Sequence, residues 1–476
     1  MENRVNKCPG CKRISCNGCG IFQKLNTNKQ IRVQFPEGFA ADLGEGLGIS
    51  FDVGTTTLAG MLWDLKEGSL LDAETGANPQ AAFGADVISR IQAAMESVDK
   101  LEKMQELVLR KLDEMAAGMM GRISEQEYTE NISKKKVQKV TIVGNTAMCE
   151  ILMGIRPEGL FRAPFMPDYK ETFYRKGEQL GFQFLKDTDV IILPPIGGYV
   201  GADALAVNSY VNWKAQRDKV LAVDIGTNGE ILLLCGEKRY ACSAAAGPAL
   251  EGGAVSQGMR AAAGAVDMVS ISGRFPMQDI VCRVIGGGNP LGICGSGLVD
   301  GLAQLYRIGV LDQTGYMRSA KEAKEAGVPE RICKRIETMD DTRRFLLTDK
   351  SHPVYILADD VRALQLSVSA IRSGMEILLE KAGIKADELD KIYLAGAFGC
   401  YISIESGIAI GLFPDVPREK MVQAGNLAGT GAAMALLSEK VLQSSEEESR
   451  RFVHVELADE DSFKERFLEH MNLPFI

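Results

Sequence analysis

Histidine is nearly absent from this chain. The three present, His352, His454 and His470, lie outside the glycine-rich segments described below, which argues against histidine-based catalysis. Basic charge does not prevail either. Lys plus Arg number 54 against 63 Asp plus Glu, a formal net charge of −9, so neither nucleic acid nor an anionic membrane is expected as the main partner. No apolar run reaches the roughly 18 residues that a membrane helix requires. Met1 to Lys7 is polar with no apolar signal core behind it, and the expected location is the cytoplasm. What remains is an ordinary globular composition, 46% hydrophobic and 25% charged, over 476 residues, enough for two or three domains with a large core.

Glycine is in excess, 50 residues or about 10.5% against roughly 7% in average proteins, and it falls inside apolar segments where tight backbone turns are needed. From Gly48 onward, short apolar strands end in glycine turns and alternate with longer helical stretches, the pattern of an α/β fold. Gly48 to Phe51 runs into Asp52-Val53-Gly54-Thr55-Thr56-Thr57 and resumes as an apolar strand. Val220 to Val223 does the same through Asp224-Ile225-Gly226-Thr227-Asn228-Gly229-Glu230. Two hairpins of one plan, 172 positions apart, indicate an internal duplication. Each half has a further apolar strand with a glycine end, Val140 to Thr146 and Lys391 to Gly399, and small-residue helical stretches, Gly201 to Tyr210 and Gly425 to Leu442, are expected to close the two halves.

The hairpin chemistry suits phosphate. Glycine lets backbone N–H groups approach phosphate oxygens, and the threonine hydroxyls add donors. An aspartate at the strand end would repel phosphate unless a divalent cation lies between them, so Asp52 and Asp224 together suggest a shared Mg²⁺ site.

The eleven cysteines are unevenly placed. Cys8, Cys11, Cys16 and Cys19 offer four thiolates within twelve residues, spaced Cys-x2-Cys-x4-Cys-x2-Cys, which reads as a metal site for zinc or an iron–sulfur cluster. Cys149, Cys235, Cys242, Cys282 and Cys294 sit in apolar or Ala-rich segments and read as small core residues, as Met115, Met119 and Met120 read as helix core.

The two hairpins, with Leu394-Ala395-Gly396-Ala397-Phe398-Gly399 as an adenosine loop, resemble the acetate kinase, sugar kinase, heat-shock chaperone and actin superfamily. Within it, Gly84 to Ile91, Val143 to Met148, Leu193 to Asp203, Ala241 to Pro248, Ile293 to Gly297 and Gly396 to Gly399 are similar to signature segments of the ATP-dependent reductive activators of corrinoid proteins. The resemblance runs from about Gly48 to the C-terminus. It implies two duplicated ribonuclease-H-like, actin-type ATPase halves (48–215 and 216–476) that close over Mg-ATP. A four-cysteine element (1–30) and a linker (31–47) precede them.

Carried over by motif, Asp52, Gly54, Thr55, Thr56 and Thr57 belong to the first phosphate loop, and Asp224, Gly226, Thr227 and Asn228 to the second. Glu230 is a candidate for orienting water, while Gly295, Ser296, Gly396, Ala397 and Gly399 are candidates for contact with the nucleotide. The implied activity is reduction of a corrinoid protein of a methyltransferase system from Co(II) to Co(I), or of another low-potential metalloprotein, driven by ATP and fed by an upstream electron donor. A homodimer is compatible with this. Through the family an iron–sulfur cluster is favoured over zinc at the four cysteines. Better-known activators carry a whole plant-type ferredoxin domain that holds [2Fe–2S], whereas the cysteines here form a short four-cysteine element, for which [4Fe–4S] is the expected cluster. Two alternatives stay open. One is a small-molecule kinase of the same superfamily with Asp203 as base, and the other is a zinc-stapled, chaperone-like ATP switch.

Overall fold

The computed structural model describes residues 33–42, 44–124, 136–214, 218–339, 342–399 and 401–475. The chain divides into two compact units, Met1–Lys214 with Gly425–Phe452, and Ala215–Ala424 with Val453–Ile476.

In the first unit, β1 (Leu47–Val53), β2 (Thr57–Asp64) and β3 (Ser69–Ala77) form an antiparallel meander. On the other side of β1 lie β4 (Val137–Gly144), β5 (Phe173–Lys176) and β6 (Asp189–Ile192), giving the order β3-β2-β1-β4-β6-β5. β4 runs parallel to β1, which places it in the middle of the sheet and explains the burial of β1 and of β4 from Val140 onward. Helices α1 (Val87–Glu96), α2 (Val98–Ser124), α3 (Thr146–Leu152) and α4 (Ala202–Lys214) belong to this unit. Asp86 starts α1 through a capping box with Ser89. Met115 and Met119 are fully buried on α2, as helix-core residues should be.

A late segment returns to this unit. The helix Leu427–Leu437 packs on α4, β1 and β4, and a Cβ on Gly431 would lie 1.9 Å from the Ala206 carbonyl oxygen. Only a side chain without Cβ permits that approach, which gives the small-residue composition of both helices a packing reason. Residues 425–452 thus join the first unit, whereas the sequence suggested a contiguous second half from 216. The helical run expected over Gly425 to Leu442 also divides at Ser438, with a second helix at Glu439–Arg451.

The stretch read as a linker is docked as well. Val33 is buried in a cluster with Met61, Trp63, Leu436 and Leu437, and Phe35, Phe39 and Ala41 pack against it. The Phe35 ring lies 5.3 Å from that of Trp63, and Phe39 meets Trp213 edge-on at 5.5 Å. Asp42 ties the segment down, its N–H donating to the Leu437 carbonyl at 2.8 Å while its carboxylate accepts from the Glu439 N–H at 2.6 Å. The alternation of Val33 and Phe35 carries the reason, since alternate positions put apolar side chains on one face.

The second unit repeats the plan. β7 (Lys219–Ile225), β8 (Gly229–Cys235) and β9 (Lys238–Ala244) form an antiparallel meander. Between that meander and its parallel neighbour the chain builds two three-stranded sheets. β10 (Ala265–Ser272) lies between β11 (Asp279–Val284) and β12 (Gly292–Ile293), and β14 (Thr342–Leu346) lies between β13 (Ile336–Met339) and β15 (Tyr355–Leu357). The main sheet is completed by β16 (Lys391–Ala395), parallel to β7, then β17 (Met421–Gly425), with β18 (Val453–His454) at the far edge. Helices α5 (Gly295–Arg307) and α6 (Ala358–Ala382) cover the core, α6 packing on β8 and β9.

Candidate functional site

Each Asp-bearing strand is central in its sheet, so each hairpin opens at the carboxyl end of a strand paired on both sides. In the first unit, Asp52 ends β1 opposite Val143 of β4, and the turn Gly54-Thr55-Thr56 follows. The Gly54 N–H donates to the Thr57 carbonyl at 3.1 Å, and a Cβ on Gly54 would lie 2.7 Å from that oxygen. Thr55 is buried, Thr56 half-buried and Thr57 exposed.

Two asparagines flank the end of β1. Asn426 caps the helix Leu427–Leu437, its side chain accepting from the Gly429 N–H at 2.6 Å, and its Nδ2 donates to Asp52 Oδ2 at 3.0 Å. Asn145 caps α3 by accepting from the Ala147 N–H at 3.1 Å. Its own Nδ2 is buried without an acceptor among the described residues. Gly201 lies against this loop, since a Cβ there would be 2.3 Å from the Gly144 carbonyl oxygen.

Asp52 and Asp203 both ionise late. Burial raises Asp52 to about 6 against the opposing bond from Asn426. Burial and then the Asp52 charge raise Asp203, in the first turn of α4, to about 7, although its carboxylate accepts from the Ala204 N–H at 2.8 Å. Neither has an ion pair with a cationic side chain among the described residues. An uncompensated carboxylate is an oxygen donor of the kind that suits Mg²⁺, a hard cation held by one or two carboxylates plus water and phosphate.

The pH consequence has a definite sign. In the absence of nucleotide and divalent cation, the folded chain keeps protons that the unfolded one loses near 4, so stability falls as pH rises from about 4 to about 7. Glu150, raised to about 8 by burial, extends the fall by about one pH unit. Thermal melting of Asp203→Asn should show a flatter decline and a Tm several degrees higher at pH 8 than the parent. An unchanged pH profile would contradict the assignment.

In the second unit, Asp224 ends β7, lies opposite Glu230 of β8 and beside Ala395 of β16. Cross-strand partners share a sheet face, so Asp224 and Glu230 project on the same side. The tip Gly226-Thr227-Asn228 is half-accessible, the Gly226 N–H donating to the Asn228 carbonyl at 2.9 Å. Thr227 Oγ1 donates to Glu251 Oε2 at 3.0 Å. Gly396 has φ of +84°, and a Cβ there would lie 2.4 Å from Asp224 Oδ1. Gly144 of the first unit is its counterpart, ending the strand parallel to β1 at a point where a Cβ would meet the Val53 carbonyl at 2.5 Å. In both units the parallel neighbour ends in a glycine that lets the next loop crowd the aspartate hairpin.

Gly399 closes the short turn Gly396–Gly399, and its carbonyl accepts from Gln423 Nε2 at 3.4 Å; the Ala397 side chain lies outside the described residues. Gly295 and Ser296 open α5 as expected but are buried against β10. Ser296 Oγ donates to the Asp267 carbonyl at 3.1 Å, and a Cβ on the adjacent Gly297 would lie 2.2 Å from the Val266 carbonyl. Those contacts give the glycines at this helix start a packing reason. α5 also packs on the turn Pro248–Glu251, whose Glu251 holds Thr227.

Cys8, Cys11, Cys16 and Cys19 lie outside the described residues, as does Cys400. Cys149, Cys242 and Cys294 are buried core residues, and Cys235 and Cys282 are half-buried. Asn426, Asn145, Asn78 and Glu251 were missing from the sequence-based site. The signal available for the first two was an asparagine just before a small-residue helix, which reads as a cap and nothing more.

This architecture defines an α/β protein with an ASKHA-type C-terminal domain. A family model described as "C-terminal domain of RACo the ASKHA domain" matches residues 218–475, and one described as "RACo middle region" matches residues 47–215. The chain belongs to the RACo family. It is 35% identical over 434 residues to the corrinoid activation enzyme RamQ of Eubacterium limosum, covering 90% of this chain and 70% of that protein. It is 29% identical over 286 residues to a [Co(II) methylated amine-specific corrinoid protein] reductase of Methanosarcina barkeri, covering 56% and 47% of the two chains. A solved reductive activator for a corrinoid, iron-sulfur protein matches with a TM-score of 0.78 at 29% identity, over 97% of this chain and 73% of that one.

Proposed function

We propose that this chain is an ATP-dependent reductive activator that returns a Co(II) corrinoid protein to Co(I). The observation that carries the reading is the family match over residues 47–215 and 218–475, spans that contain both aspartate hairpins. The printed activities of the relatives point the same way. The reaction is placed in the cytoplasm; no helix among the described residues is long and apolar enough to cross a membrane.

In this reading each unit is a ribonuclease-H-like half. Asp52, Gly54, Thr55, Thr56 and Thr57, with Asp224, Gly226, Thr227 and Asn228, bind Mg-ATP. Glu230 orients the attacking water, and Gly396, Ala397, Gly399, Gly295 and Ser296 serve the nucleoside end. The late ionisation of Asp52 supports the cation role, because a bound cation supplies the compensating charge that the carboxylate lacks. Cys8, Cys11, Cys16 and Cys19 supply the thiolates for an iron–sulfur cluster, which when bound provides the one electron that Co(II) gains. Water receives the terminal phosphoryl group, so ATP acts as a conformational lever and not as a phosphate donor to the partner. For a one-electron step about 59 mV corresponds to about 1.4 kcal/mol, so several kcal/mol of nucleotide-driven partner binding offset a sizeable potential gap.

The two functions separate at a definite point in the chain. A variant beginning at Val33 should lose all iron and acid-labile sulfide yet bind ATP as the full chain does. One beginning at Gly48 also loses Val33, Phe35 and Phe39, and each buried large apolar side chain contributes about 1.5–3 kcal/mol. It should therefore melt several degrees lower. Anaerobic metal analysis and calorimetry check both expectations. Stoichiometric iron retained by the Val33 variant would refute the cluster assignment, and zinc without sulfide in the full chain would refute the electron-transfer role.

A further inference from the structure

Asn78, which follows β3, is 1% exposed and donates to two carbonyls of the first hairpin turn. Its Nδ2 donates to the Gly54 carbonyl at 2.9 Å, and its backbone N–H donates to the Thr56 carbonyl at 3.0 Å. Its Oδ1 accepts from the Gln80 N–H at 3.0 Å and so caps the turn Pro79–Ala82. Gln80, fully buried, donates from Nε2 to the Met104 carbonyl of α2 at 3.2 Å. The Met148 sulfur lies behind Asn78, 3.8 Å from its Nδ2, and accepts from the buried Arg90 Nη1 at 3.2 Å. Asn78 is therefore a rigid post, anchored to α2 and α3, that holds two carbonyls of the turn.

Holding those carbonyls has a stereochemical consequence. Across a trans peptide the C=O and the following N–H point in opposite directions, and neither the 54–55 nor the 56–57 peptide is cis. With the carbonyls of Gly54 and Thr56 drawn to Asn78, the N–H groups of Thr55 and Thr57 are turned away from it. Donors whose direction is fixed in advance by the carbonyls of the same peptides are what recognition of a phosphate oxygen at this turn requires. We infer that Asn78 is a positioning residue for phosphate recognition, fixing the donor direction of the Gly54 to Thr57 turn without touching the ligand. The inference rests on the nucleotide reading above, and it assigns a phosphate-specific part of that affinity to a residue outside the hairpin.

Two substitutions isolate the Nδ2 donor. Asn78→Ser keeps a cap for the Gln80 N–H but cannot reach the Gly54 carbonyl, and Asn78→Asp keeps the shape while setting a carboxylate against that carbonyl. Equilibrium binding of ATP and of adenosine to the full chain, with thermal melting in parallel, reads the effect. Expected is a loss of ATP affinity of at least about tenfold in both variants, with adenosine affinity within about twofold of the parent and a cooperative melt retained. Equal losses for ATP and adenosine would mean that Asn78 only supports the fold, and unchanged ATP affinity would mean that the turn needs no post; either overturns the inference. Failure of the parent chain to bind ATP would instead overturn the nucleotide reading, and the inference with it.

Discussion

Asp52→Ala and Asp224→Ala will each lower ATP turnover by at least about 100-fold while leaving the chain folded. Removing one preorganised electrostatic group from a reacting phosphate commonly costs two to three orders of magnitude, and a cation ligand belongs to that class. Folding should survive because each substitution removes one strand-end carboxylate and leaves the apolar strand around it intact. Asp52 accepts a single described side-chain bond, from Asn426, and burial opposes its charge. Above pH 7 its removal relieves an unfavourable desolvation, so the Asp52→Ala chain should melt no lower than the parent at pH 8. Asp52→Asn, which preserves an oxygen for Asn426, should lose turnover equally and separates the lost charge from the lost bond. Steady-state phosphate release with parallel melting curves is the check. Parent-like turnover in either alanine variant would remove the cation site from the account.

The hairpins were legible because the evidence for them is local. An aspartate, a glycine and a threonine between two apolar strands specify the turn, and the strands at Leu47–Val53 and Lys219–Ile225 fall where the apolar runs predict. The duplication was legible for the same reason and reappears as two sheets with a central aspartate strand, an antiparallel meander on one side and a parallel neighbour on the other. What could not be read depends on distance in sequence. Asn426 reaches Asp52 across 374 positions, and nothing in a run of Gly-Asn-Leu-Ala-Gly tells which strand end its side chain will face. Residues 33–42 looked like a spacer because Pro36, Glu37 and Gly38 interrupt them, yet three apolar residues suffice to dock the segment once Trp63 and Leu437 form a face to receive it. At Gly295-Ser296-Gly297 the crowding by the β10 backbone is likewise a contact distant in sequence, and it adds a packing reason for glycines that the sequence offers as nucleotide candidates.

Cobalt chemistry joins the two parts of the proposal, since neither ATP turnover nor a four-cysteine metal centre alone requires a corrinoid partner. Only a difference in affinity between nucleotide states can shift the partner's equilibrium, so the proposal has ATP change how tightly the corrinoid protein is held and has the thiolate-bound centre supply the electron. The most direct measurement is anaerobic. The reduced full chain is mixed with a Co(II) corrinoid protein from the same cell and Mg-ATP, and the cobalt spectrum is followed from Co(II) to Co(I). Reduction should require ATP, should fail in Cys16→Ala and should fall at least about 100-fold in Asp52→Ala. Reduction proceeding equally without ATP and without the cysteine ligands would contradict the account.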